Sequence, residues 1–230
     1  VVGFTGDKFY RPMWFSDEMY EFTGAVLAID PSGRGKDETA YAVVKMLNGY
    51  LYASQCGGFK GGYDDLTLQK LANLAKIEKV SMIVVESNFG DGMFSKLLAP
   101  FIAKTYPVSI EEVRHNTQKE VRIIDTLEPV MMQHRLIIDE KLIKEDYDSA
   151  PEPSYSLFYQ MTRLTKDRGA IVHDDRLEAL SMAVNYWTEQ MDTDAESMAA
   201  QMKLEAFNGE IQRFIDSATG VYKSAGDRWF

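Results

Sequence analysis

Three places along the chain carry carboxylates where a folded sheet would hold them fast. Asp30 directly follows the apolar run Ala25-Val-Leu-Ala-Ile29, and Glu86 follows Met82-Ile-Val-Val85 in the same way. Short apolar runs bounded by turn residues read as strands buried on both faces. Both acids therefore stand at the carboxyl ends of central strands, where open α/β sheets gather their ligands. The third place is Asp174-Asp175 with Glu178, at the head of a helical pattern. One acid there would cap the helix and complement its dipole. Two adjacent acids followed by Glu178 exceed what capping requires, and Asp175 and Glu178 share a helix face. Converging carboxylates repel unless a cation joins them, and an all-oxygen site suits Mg²⁺ or Mn²⁺ rather than Zn²⁺. Two such ions, about 3.5–4 Å apart, are the usual arrangement for in-line phosphodiester hydrolysis.

The elements that must position these acids follow from the hydropathy pattern. Residues 24–30 and 39–47 read as strands, and Asn48-Gly49 is a hairpin signal returning into a strand over 50–55. Helical spacing covers 64–78, with Leu66, Leu68, Leu71, Leu74 and Ala75 as its apolar positions. A buried strand over 80–85, a helix over 93–104 and a weaker strand over 108–113 come next. A long amphipathic helix spans 119–134 with Val121, Ile124, Leu127 and Met131 near one face. Residues 135–138 are extended, and helices are expected over 155–165 and 177–189. Three antiparallel strands followed by alternating helices and strands predict an α/β three-layer fold. Its central sheet is mixed, with helices on both faces.

The 230 residues hold 35 Asp+Glu against 25 Lys+Arg, a formal net charge of -10. This excludes a uniformly basic surface that would attract nucleic acid by bulk charge. A content of 45% hydrophobic, 12% aromatic and 26% charged residues excludes wholesale disorder. No stretch reaches the roughly 18–20 apolar residues that span a bilayer, and no signal-peptide pattern opens the chain. Cys56 is the single cysteine and the three histidines are scattered, so neither a disulfide nor a zinc site is expected and a reducing intracellular setting is. The start at Val1 rather than Met suggests a piece of a longer protein. Residues 1–22 are aromatic-rich and irregular, an arm or linker. Residues 23–190 form the main domain. Residues 191–230 are an acidic helical extension, six acids against two bases over 191–217, with a disordered tail beyond Gly220.

Four ordered motifs carry a resemblance: Asp30-Pro-Ser-Gly-Arg-Gly-Lys-Asp37, Val85-Glu-Ser-Asn-Phe-Gly90, Gln118-Lys-Glu-Val-Arg-Ile123 and His173-Asp-Asp-Arg-Leu-Glu-Ala-Leu180. Over residues 24–190 the chain resembles the nuclease half of tailed-phage large terminase subunits, closest to the short-tailed coliphage type also called a DNA maturase. The resemblance implies an RNase H-like fold of the resolvase kind. It also implies metal-dependent endonuclease action on double-stranded, concatemeric DNA during packaging in the host cytoplasm, with Mg²⁺ or Mn²⁺ in a two-metal site. It makes Asp30 and Glu86 the first two catalytic and metal-binding acids. The third falls between Asp174 and Asp175. Asp175 is favoured because related resolvases place two acids three apart on this helix, matching Asp175 and Glu178, with Glu178 a further ligand. The implied partners are an N-terminal ATPase domain of the same subunit, the small terminase subunit, and the portal or procapsid; no membrane is involved. This chain has no Gly-x-x-x-x-Gly-Lys-Ser/Thr loop, so ATPase activity is not expected from it.

The candidate DNA contacts are basic. Arg34 and Lys36 lie in the turn after Asp30, and Lys60 lies in the Gly57-Gly-Phe-Lys-Gly-Gly62 segment, read as a flexible loop. Lys119 and Arg122 share a helix face that the resemblance places near the active site. Arg163, Lys166 and Arg168 form the densest basic cluster, just before the acidic motif. His173 is a candidate to orient Asp174 or a water, and Cys56 is expected to be buried and without chemistry. Two rival readings exist. Asp30-x-x-Gly33 could imitate the phosphate loop of an actin-like or sugar-kinase-like nucleotide-binding module, although no second hairpin of that kind recurs. A non-catalytic docking domain on the same fold is the other.

Overall fold

The computed structural model describes residues 20–32, 38–87, 92–150 and 152–219, with the side chains of 199–200 and 212–219 excepted. Its centre is a six-stranded sheet in the order β5-β4-β1-β2-β3-β6. β1 (Gly24–Asp30), β2 (Thr39–Leu47) and β3 (Tyr50–Phe59) form an antiparallel meander. Asn48 (φ 51°) and Gly49 (φ 77°) turn the β2–β3 hairpin, both in the left-handed region that a type I′ turn requires. β4 (Met82–Glu86) runs parallel to β1, β5 (Ile110–Val113) parallel to β4, and β6 (Leu136–Ile138) parallel to β3. The mixed sheet is the expected one, and the extended residues after Arg135 form its edge.

Alternation along the strands divides the core into two layers. Ala25, Leu27, Ile29, Val43, Ile83 and Val85 face α1 (Asp65–Glu78) and α2 (Met93–Thr105), meeting Leu68, Leu71, Ala75, Leu98 and Ile102. Leu66, expected on the inner stripe of α1, is 64% exposed, because it lies off the line of Leu68, Leu71, Ala72 and Ala75. Residues of the other parity, such as Val44, meet the first turns of α6 (Asp175–Thr219), where Trp187 Nε1 donates to the Val44 carbonyl at 3.0 Å.

α3 (Lys119–Met132) buries Ile123, Leu127 and Val130, a stripe rotated from the expected one, and leaves Met131 exposed. The rotation has a physical reason. Lys119 and Arg122 head this same stripe and turn towards buried acids, so the helix follows its cations as well as its apolar residues. α4 (Glu140–Ser149) is absent from the sequence expectation, its inner face being only Leu142, Ile143 and a polar residue, Asp146. The helix expected over 155–165 resolves into a single 3-10 turn (Pro153–Tyr155) and α5 (Leu157–Arg163).

The segment from Gly57 to Phe59 is strand rather than flexible loop, pairing with Tyr41, Ala40 and Thr39. A Cβ on Gly58 would collide with the Glu38 carboxylate, so glycine here admits a buried acid rather than mobility. The described chain divides into two compact units, which meet between Trp187 and Thr188 in sequence. Within the second unit, α6 exposes Met198, Met202, Leu204, Phe207 and Ile211. Residues 1–19 of the arm expected over 1–22, and the tail beyond Gly220, lie outside the described residues. No described helix is long and apolar enough to cross a membrane.

Candidate metal centre

Strand register brings the first two acids together. β1 and β4 pair in parallel with Ala28 beside Val84 and Ile29 beside Val85, so Asp30 comes to lie beside Glu86. Parallel neighbours stand about 4.8 Å apart. Alternation turns both side chains to the face that receives α6. The first turn of α6 then lowers Glu178 onto them. Asp30, Glu86 and Glu178 each offer a carboxylate oxygen within 4.8 Å of the others, and all three residues are buried. Asp174 and Asp175 stand at the rim with about a quarter or less of their side chains exposed (21% and 25%).

Two cations from α3 enter this group. Lys119 Nζ lies 2.8 Å from Asp174 Oδ1, 3.7 Å from Asp30 Oδ2 and 3.9 Å from Asp175 Oδ1, and it also pairs with Glu178. Arg122 pairs with Glu178 and lies 3.8 Å from Glu86 Oε1. Burial pushes the Asp30 carboxyl well above the usual carboxylate range. Lys119 opposes that shift, while Glu86 and Asp175 add to it. Burial also works against the charge of Lys119, but Asp30, Asp174 and Asp175 more than offset it and hold its pKa above that of an ordinary lysine. Among the described residues, five carboxylates thus share two cations, and no hydrogen-bond partner lies against the buried Asp30 Oδ2 atom. A hard divalent cation fits this donor set, which is all oxygen, over-supplied with negative charge and holding an unsatisfied buried acceptor.

The remaining sequence candidates spread more widely. Arg163 stacks over the Tyr159 ring at 4.2 Å, and Lys166 pairs with Asp125 on α3 at 3.1 Å. The backbone around Arg168 is tied to α3, Gly169 N donating to Glu120 Oε1 at 2.7 Å. The basic segment therefore lies along the helix that supplies Lys119. Lys60 is exposed at the end of β3. Arg34 and Lys36 fall outside the described residues. His173 stacks on Tyr155 with ring centroids 3.7 Å apart. Cys56 is buried within β3, its thiol donating to the Arg176 carbonyl at 3.6 Å, and burial pushes its pKa far up.

Sequence reasoning missed Glu38, Asp146 and Arg176, a buried ionic group beside the acidic turn. Arg176 Nε donates to Glu38 Oε1 at 2.6 Å and Nη1 to Asp146 Oδ1 at 2.9 Å. The available signals were Gly58 opposite an acid and an arginine between Asp175 and Leu177 in an otherwise apolar helix stripe.

A mixed sheet of this order, with acids ending two adjacent parallel strands and a third acid arriving on a helix, is an RNase H-like fold of the nuclease class. Comparison with known proteins agrees. The family described as "Terminase Bacteriophage T7, Ribonuclease H-like domain" matches residues 29–136. The large terminase subunit of Enterobacteria phage T3 is 46% identical over 233 residues, an alignment covering 98% of this chain and 40% of that protein. The chain thus spans about two-fifths of the curated relative's length. The human cytomegalovirus terminase nuclease domain, manganese-soaked and inhibitor-bound, shares the fold with a TM-score of 0.53 at 12% identity, over 71% of this chain and 82% of that one. The nuclease domain of the large terminase subunit of bacterial virus Sf6, with manganese, gives 0.50 at 12% identity, over 71% and 88%. Residues 29–136 thus match the terminase RNase H-like domain family, and the chain along nearly its whole length is similar to part of a terminase large subunit.

Proposed function

We propose that the chain is a metal-dependent DNA endonuclease, the part of a large terminase subunit that cuts concatemeric viral DNA during genome packaging. The observation that carries this reading is the buried convergence of Asp30, Glu86 and Glu178 within 4.8 Å. The relative from phage T3 is a terminase large subunit, and structural neighbours were obtained with manganese, which supports both the DNA substrate and the metal. A bound pair of Mg²⁺ or Mn²⁺ ions would supply activation of a water for in-line attack on a phosphodiester and stabilise the leaving oxygen.

The chain's own residues do the rest. Asp30 and Glu86 hold their carboxylates by strand register, and Glu178 closes the set from α6. Asp174 and Asp175 form its more exposed side and complete the ligand set. Lys119 and Arg122 balance the acids and, where a metal took over that role, would be available to contact the scissile phosphate. Arg163, Lys166 and Arg168, with Arg34, Lys36 and Lys60, extend positive charge for the DNA backbone. Phosphate contacts of this kind bring little sequence readout.

In this reading residues 1–22 lead to an N-terminal ATPase domain, 23–190 form the nuclease and 191–230 an acidic extension. The small terminase subunit and the portal or procapsid are the partners, and the host cytoplasm is the setting. ATP hydrolysis is not assigned to this chain.

The test is nicking of supercoiled plasmid with Mn²⁺ or Mg²⁺. Asp30→Asn, Glu86→Gln and Glu178→Gln should each slow nicking by at least about 100-fold, more than the loss of outer-shell partners usually brings. Undiminished cleavage in Asp30→Asn and Glu86→Gln would overturn the assignment.

A further inference from the structure

Arg176 occupies the second position of α6, between the acids at 174–175 and Glu178, yet its side chain is 1% exposed and points away from them. Its guanidinium holds both oxygens of Glu38, at 2.6 and 3.1 Å, and Asp146 Oδ1 at 2.9 Å. Asp146 is itself fully engaged. It accepts from Ser156 Oγ at 2.5 Å, Leu157 N at 2.9 Å and Phe158 N at 3.2 Å, and so fixes the start of α5. The α6 backbone is pinned at the same level, Leu177 N donating to Gln160 Oε1 at 3.0 Å and the Arg176 carbonyl accepting from Cys56.

Stability alone does not account for this arrangement. Taking charges out of water is so unfavourable that well-packed apolar residues usually serve a core as well or better. What the network supplies is a fixed orientation. Asp175 and Glu178 project from one side of the helix and Arg176 from another, so a bidentate anchor on Arg176 sets the rotation of the acidic face. Carboxylates lie about 5–6 Å from a helix axis, so a rotation of about 20° would move them by about 2 Å. Metal–oxygen bonds are themselves only about 2.0–2.6 Å long.

We infer that Arg176, held by Glu38 and Asp146, is a positioning residue that sets the rotation of α6 and so the affinity of the acidic cluster for divalent metal. This inference rests on the metal-site reading above.

The experiment measures Mn²⁺ binding directly, by the electron paramagnetic resonance signal of free Mn²⁺ during titration, with circular dichroism confirming the fold. The proteins are the parent chain, Arg176→Lys, Glu38→Gln and Ile102→Val, the last loosening the core between α2 and the sheet, remote from the network. Arg176→Lys keeps the charge and loses the two-oxygen grip, and its Mn²⁺ affinity should fall about tenfold, the usual size of an outer-shell effect. Glu38→Gln should move it the same way by less, and Ile102→Val not at all. Parent-like affinity in both Arg176→Lys and Glu38→Gln, with the parent binding Mn²⁺, would overturn the inference alone. An equal fall in Ile102→Val, or failure of both network variants to fold, would make the network a stability element and overturn it too. A flat titration in the parent would remove the metal site and this inference with it.

Discussion

Two buried ionic groups flank the first turn of α6, and they differ in how far protein atoms complete them. Around Arg176, both Glu38 oxygens take a guanidinium N–H, and Asp146 accepts from Arg176, Ser156, Leu157 and Phe158. Around Asp30, among the described residues, five carboxylates share Lys119 and Arg122, the carboxyl of Asp30 is pushed up by burial, and its Oδ2 lacks a hydrogen bond. The two groups are separated by less than a turn of helix. Among the described residues, one is satisfied by protein atoms, whereas the other keeps a surplus of negative charge, which is what the proposed divalent cation would offset. Incomplete pairing, rather than buried charge as such, is what singles out the proposed metal site.

The sharpest way to break this contrast is to neutralise one member of each group in metal-free protein and follow urea unfolding. Arg176→Ala leaves Glu38 and Asp146 buried without their cation and should lower stability by about 3–5 kcal/mol. Asp30→Asn removes a charge from an over-supplied cluster and should raise stability by about 1 kcal/mol, the order of an unsatisfied buried polar group. Opposite signs are the expected result. A loss of stability in both would mean that the acidic cluster is as complete as the network.

Metal addition sharpens the same contrast at a smaller scale. Mn²⁺ at about 100 times its dissociation constant should stabilise the folded chain by about 2.7 kcal/mol. In a domain of this size that raises Tm by roughly 5–10 °C. The rise should nearly vanish in Glu178→Gln when followed by differential scanning fluorimetry at matched ionic strength. A full rise in that variant would remove Glu178 from the ligands.

What the sequence made legible follows from periodicity and local chemistry. Apolar runs closing on Asp30 and Glu86 identify two buried strands that end on acids, while the parallel pairing of those strands, with Ile29 beside Val85, is what sets both acids on one face. The spacing of Asp175 and Glu178 indicates a shared helix face, but not which acid reaches inward. That depends on the rotation of α6, set by Arg176 through Glu38 and Asp146, residues 138 and 30 positions away. No local pattern encodes such a pairing. α4 was hidden for the same reason, since its inner face includes Asp146, a charged residue made suitable for burial only by Arg176, Ser156 and the start of α5. Lys119 reads as a helix-surface cation until the rim acids and Asp30 are brought round it.

The smallest effect concerns Asp64, an acid placed before a helix much as Asp174 is, but on the other side of the sheet. Asp64 caps α1, its Oδ1 accepting from Thr67 N at 2.7 Å, and those Thr67 hydrogen bonds lower its pKa. A folded pKa below the unfolded one gives a contribution that is complete above the ordinary aspartate value of about 3.9. The contribution is lost as pH falls through the depressed folded value. Asp64→Ala should therefore lower Tm slightly at pH 7, and the gap from the parent should close as pH drops below about 4. Plasmid nicking at neutral pH should be unchanged, because α1 packs against the sheet face opposite Asp30 and Glu86. Slower nicking in Asp64→Ala at full occupancy of the folded state would show that the two faces are coupled, and that an acid heading a helix on either side serves the same site.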